Sequence, residues 1–133
     1  MRTLDTELHA AMLELGKLLN IYCNHFPSHE RHALARRMRE TFYGMFDLIT
    51  EGRKRYHKKT TLTQLDITHE QLRMQAAMAN ELGYFGFKVG RKVDTAERLE
   101  RHRYLALSRL IDQVGRMIGG WIRQQKQDLG QPS

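Results

Sequence analysis

Apolar residues recur along this chain at spacings of three and four, in four separate runs. In the first, Leu4, Leu8, Ala11, Leu15, Leu18 and Tyr22 draw one stripe along a helix covering roughly residues 3–24. His25-Phe26-Pro27-Ser28 then breaks the pattern, because Pro27 disfavours helical backbone in the residue before it and the Ser28 hydroxyl can cap a second helix beginning there. That helix carries Leu34, Met38, Thr41, Met45 and Leu48, broadened by Phe42, Phe46 and Ile49 into a wide core-facing surface, and it fades near Gly52.

The third run, Leu62, Leu65, His69, Leu72, Ala76 and Ala79, predicts a helix over about 61–83, with Met74 and Met78 on a neighbouring stripe. A second stripe is read as a wider core, and exposed methionines serving an adaptable protein interface are the other reading. Gly83-Tyr84-Phe85-Gly86-Phe87-Lys88-Val89-Gly90 reads as a loop whose aromatic rings pack down over the end of the bundle. Asp94 or Thr95 then offers a cap for a fourth helix, predicted from near 95 to about 126. Its core positions are Leu107, Leu110, Val114, Met117 and Trp121, with Ile111, Ile118 and Ile122 alongside. Four such helices joined by short or modest connections predict an all-α fold, an antiparallel up-down-up-down four-helix bundle over residues 1–127, with 128–133 a disordered tail.

Composition adds direction. The 133 residues hold 22 Lys and Arg against 15 Asp and Glu, a formal charge of +7 with a sequence pI near 9.9. Such a balance suits a polyanionic partner, an acidic protein surface or an ordinary solvated face. One cysteine, Cys23, permits no disulfide within the chain, and the first residues lack the apolar core of a signal peptide, so a cytoplasmic protein is expected. Charged residues interrupt every hydrophobic run, and no membrane span or membrane partner is expected.

The positive charge is organised. Arg109, Arg116 and Arg123 recur every seven residues along helix four and fall on one outward face, a line that His102 extends. Arg31, Arg36, Arg37 and Arg39 crowd the start of helix two, and the linker Arg53-Lys54-Arg55-Tyr56-His57-Lys58-Lys59-Thr60 is a like-charge run that should stay exposed. The candidate nucleic-acid or partner contacts are therefore Arg36, Arg37, Arg53, Lys54, Arg55, Lys58, Lys59, Arg109, Arg116 and Arg123. Phosphate contacts of this kind are salt-dependent and carry little sequence information.

Chemistry beyond charge is sparse. No glutamate has a histidine three positions later, which excludes the Glu-x-x-His pairing of di-iron bundles. His25, His29 and His32, near Cys23 and Glu30, match no standard metal spacing, and no nucleophile elbow or phosphate-cradling loop occurs. No catalytic residue, metal or cofactor is expected. Three glycines in six residues, Gly115, Gly119 and Gly120, need a reason inside a helix, since each costs about 1 kcal/mol relative to alanine. Gly115 and Gly119 share a face on which another helix can approach closely, while Trp121 fills the core; ending the helix at Gly119-Gly120 is the other reading.

Gln113-Val114-Gly115-Arg116-Met117-Ile118-Gly119-Gly120-Trp121-Ile122 resembles the C-terminal signature of the four-helix-bundle family that contains the accessory variability determinant (Avd) of diversity-generating retroelements. Phe26-Pro27-Ser28-His29-Glu30-Arg31 is similar to that family's turn into helix two, and Leu72-Arg73 to its helix-three motif. The family also includes proteins encoded by intervening sequences of bacterial 23S ribosomal RNA genes. The Avd resemblance implies a homopentamer of bundles that associates with a reverse transcriptase and its template RNA, or DNA, and supports mutagenic complementary-DNA synthesis. The other branch implies a stand-alone interaction protein. The net charge favours the first, and its residues 115, 116, 119, 120 and 121 stand within the shared signature.

Overall fold

A computed structural model of the chain describes residues 4–90 and 94–130, with side chains from Thr6 onward. Four helices account for most of it: α1 (Leu4–Asn24), α2 (Leu34–Lys54), α3 (Lys59–Glu81) and α4 (Ala96–Asp128), with a short 3-10 turn at Ser28–Glu30. Among the described residues there is no strand. Each helix packs on two neighbours, α1 on α2, α2 on α3, α3 on α4 and α4 back on α1, so the helices stand in a ring around one core. Gly16 lies against Phe42 and Asn24 is reached by Arg39; Gln75 reaches Thr41 and Leu62 lies beside Gly52; His69 lies against Gly115 and Arg73 reaches Asp112. These pairings run in opposite directions along successive helices, and the bundle is antiparallel.

The α3 stripe is buried as its spacing predicts: Leu62, Leu65, His69, Leu72, Ala76 and Ala79 all face the core. On α4 the buried column is Leu107, Ile111, Val114, Ile118, Trp121 and Gln125, while Leu110 and Met117 are only partly buried against it. The helix is thus turned slightly from the expected centre line. Met74 and Met78 are exposed, which corrects their reading as core: they lie opposite the buried stripe of α3, not beside it. Helix α4 runs through Gly119-Gly120 without a break. Positions 131–133 of the predicted tail lie outside the described residues.

The turns carry their own chemistry. Thr95 caps α4, its Oγ1 accepting from the Arg98 backbone N–H at 3.2 Å. Gly83, at φ 78°, ends α3: its N–H reaches the Asn80 carbonyl and that of Tyr84 reaches Ala79, the paired bonds of a left-handed helix stop. Helix α2 departs from expectation at its start. Ser28 opens only the 3-10 turn, α2 begins at Leu34, and the Glu30 carboxylate performs the capping, accepting the Leu34 N–H at 2.9 Å and the Tyr84 hydroxyl at 2.9 Å. The connection between α2 and α3 is only residues 55–58.

The Leu34 bond, followed by the Tyr84 bond, holds the Glu30 carboxyl below its ordinary value of 4.5. A depressed carboxyl stabilises the fold above its unfolded pKa, and that contribution is lost as pH falls through the folded value. Glu30→Gln is therefore expected to flatten the acid limb of the stability curve below about pH 5. Urea midpoints measured down the pH scale check this; an acid limb of unchanged slope would exclude Glu30 as a contributor.

The aromatic loop packs as its composition suggests. Phe85 is fully buried against Tyr22, Phe26 and Tyr104, and Phe87 stacks on His25 at 4.5 Å. Holding it is a residue the sequence did not flag. Arg103, 8 % exposed, donates from Nη1 to the Phe85 carbonyl at 2.9 Å and to the Phe87 carbonyl, and its guanidinium lies 3.7 Å from the centre of the Phe87 ring.

Candidate nucleic-acid interface

Arg109, Arg116 and Arg123 are exposed on the outer side of α4, away from its buried column. At about 1.5 Å rise per residue they span some 21 Å of surface. None has a hydrogen-bond or ion-pair partner among the described residues. Arg116 and Arg123 also line a groove between α3 and α4 whose other wall is Asp66, His69, Glu70 and Arg73. Within it Arg73 is already committed, donating to Asp112 at 2.6 Å and pairing with Glu70 at 3.3 Å. Further along the same seam, Lys59 and Lys126 border a hollow with Leu62 and Ile122.

The glycines of α4 differ in what they do. Gly115 lies directly under the His69 ring: a Cβ there would stand 2.7 Å from Cε1 and 2.9 Å from Nε2. The absent side chain lets His69, 4 % exposed, bring Nε2 to 2.8 Å from the Ile111 carbonyl. A carbonyl only accepts, so the imidazole carries a proton on Nε2. At Gly119 an added Cβ would meet only the tip of Arg123, at 3.4 Å, and Gly119 forms open groove floor. Gly120 is half-buried within α4, and Trp121 is buried, its ring lying where a side chain at Gly52 would be.

The linker cluster is exposed apart from Lys58, which is half-buried, but its charges are not equivalent. The Lys58 ammonium donates to the Arg55 carbonyl at 2.7 Å and to the Gly52 carbonyl, closing the C-terminal end of α2. Arg55 pairs with Glu51 at 3.7 Å and donates to the Thr61 hydroxyl, and Arg53 is also engaged. Lys54 and Lys59 are left pointing outward, at the end of the bundle toward which Arg116 and Arg123 lead. Arg36 and Arg37 stand at the opposite end, where Arg36 is bound to Glu40 at 2.9 Å. The fold therefore gathers Lys54, Lys59, Arg116 and Arg123 toward one end, with Arg109 on the same face, and separates them from the α2 pair.

The histidine group near Cys23 disperses. His25 stacks on Phe87, His29 meets the edge of Tyr84, and Cys23 is buried, its thiol pushed up to about 11 by burial against a smaller opposing pull from Arg39. Among the described residues no three His, Cys, Asp or Glu side chains converge as metal ligands. Nor is any described helix long and apolar enough to cross a membrane.

The described residues form an all-helical bundle with a row of exposed arginines along one face of α4. The sequence profile of the bAvd-like family matches residues 11–125, and the chain belongs to that family. The family is one of accessory proteins in the context of diversity-generating retroelements. No curated protein matches the chain.

Proposed function

We propose that this protein is a non-catalytic, homo-oligomeric subunit, a pentamer, that binds the retroelement's reverse transcriptase and its template RNA through basic surfaces and so supports mutagenic complementary-DNA synthesis in the cytoplasm. The observation that carries the reading is the α4 row. Arg109, Arg116 and Arg123 have no carboxylate partner among the described residues, and an unpaired guanidinium is free to take a phosphate bidentately. Lys59, across the α3–α4 seam beside Ile122 and Lys126, continues the positive surface toward that end of the bundle, where Lys54 is also exposed. Family membership supports the choice of RNA as the polyanion.

The Arg109→Ala/Arg116→Ala/Arg123→Ala variant is expected to keep its helical content, since all three side chains are exposed. Its RNA affinity should fall, and the plot of log affinity against log salt should lose about 2 units of slope, near 0.7 for each phosphate contact removed on a single strand. An unchanged slope would remove this face as the RNA surface. Co-purification of the wild-type protein with the reverse transcriptase of the same element tests the second partner, and failure of the two to associate would overturn that part.

A further inference from the structure

Among the described residues, two unpartnered apolar features are opposite in shape. The first is a ridge on α3. Ile67, Met74 and Met78, followed by Leu82 just past the helix end, are each between 48 % and 61 % exposed. Spacings of seven, four and four place them on one line facing away from the core. Carboxylates flank it: Glu81 lies beside Met78, and Glu70, paired with Arg73 at 3.3 Å, falls between Ile67 and Met74. Flexible methionine side chains adapt readily to a facing surface.

The second feature is a groove between α1 and α2, enclosing about 300 Å³. Phe42 and Phe46 line its wall, and Phe42 lies so close to Gly16 that a Cβ there would stand 2.6 Å from the ring. Leu13 and Tyr43, both exposed, form the lips. Its rim carries Arg39, which donates to the neutral Asn20 and Asn24 and keeps its charge uncompensated, and Lys17, which pairs with Glu14 at 3.4 Å on the exposed side. The groove and the ridge are thus both apolar but opposite in relief and in the sign of the charge beside them. They cannot meet within one chain, because α3 does not contact α1 and the ridge points outward.

We propose that the α3 ridge of one chain seats in the α1–α2 groove of a second copy, with Glu70 and Glu81 facing Lys17 and Arg39. The inference rests on the self-association proposed above and names the surfaces that would produce it. The contact is heterologous: each copy offers one ridge and one groove, so a pair leaves one of each open and assembly proceeds until the rotation closes a ring. The α4 arginines lie outside both surfaces, with Glu70 at the border between the ridge and the groove that Arg116 and Arg123 line.

The test is the mass in solution, by light scattering and sedimentation, of the wild type and two variants. Met74→Asp/Met78→Asp spoils the ridge, and Leu13→Asp/Tyr43→Asp spoils the groove; all four positions are exposed, and circular dichroism verifies that each variant is folded. Each variant alone is expected to be a monomer. An equimolar mixture of the two is expected to give a dimer and nothing larger, because one intact ridge meets one intact groove and no open pair remains. A mixture that stays monomeric, or a ridge variant that assembles like the wild type, overturns the proposal while leaving self-association standing. A wild type that is monomeric at every concentration overturns both.

Discussion

Gly115→Ala is expected to lower the melting temperature, while Gly119→Ala, one helical turn further on, is expected to leave it unchanged or raise it. Taken in isolation, each substitution should help, since alanine is favoured over glycine inside a helix by about 1 kcal/mol. The surroundings decide the sign. A Cβ at Gly115 would lie 2.7 Å from His69 Cε1, within the distance at which something must move, and that imidazole is buried and bonded to the Ile111 carbonyl. Separating α3 from α4 costs about 1–3 kcal/mol in lost packing. Turning the ring instead strands a buried N–H, at a similar cost. Either outweighs the propensity gain, and for a domain of this size each net kcal/mol lowers the midpoint by about 4 °C. At Gly119 only the mobile end of Arg123 is near, at 3.4 Å, so the propensity term stands. A thermal melt of each variant decides between them. Placing Gly115→Ala in a His69→Ala background supplies the control: its cost should vanish there if the imidazole is the obstacle, and an undiminished cost would place the strain elsewhere.

These glycines also mark how far the sequence could be read. Their presence in an apolar helix demanded close approach, but spacing treated Gly115 and Gly119 alike, and only the position of His69 separates them. The α3 stripe was legible because polar residues, Thr63, Gln64, Asp66, Glu70, Gln71, Arg73 and Gln75, fall between most of its members. On α4 two adjacent columns are both apolar, Leu110 and Met117 beside Ile111 and Ile118, and periodicity alone cannot choose the centre of such a face. Met74 and Met78 were misplaced for a related reason: a hydrophobic side chain signals burial whether it faces the core or an open surface. The arginine row was legible because seven-residue spacing fixes a face regardless of neighbours. Which cations in the linker are free was not, since the use of Lys58 to close α2 depends on where the chain turns.

Arg103 is where the reading by charge fails most completely, and its replacement is expected to have a large effect of a different kind. In a chain of net charge +7 an arginine on α4 counts toward the polyanion surface, yet this one is turned inward. Its guanidinium binds two loop carbonyls, Phe85 and Phe87, and lies over the Phe87 ring. Those contacts hold the loop that closes the end of the bundle over Tyr22 and Phe26. Arg103→Met keeps much of the aliphatic stem but removes both charge-assisted bonds, each worth about 1.5–3 kcal/mol, and leaves two carbonyls to find water. The expected loss is about 2–4 kcal/mol, a fall large enough to read directly as an earlier urea midpoint. Hydrogen exchange should show residues 84–87 opening before the helices, because the loop loses its anchor while the α1–α4 core keeps its own packing. The salt slope of RNA binding should not change, since a buried guanidinium releases no counterions. A variant with native stability and a shallower slope would mean that Arg103 leaves the loop to meet the polyanion, and would reverse the role assigned to it.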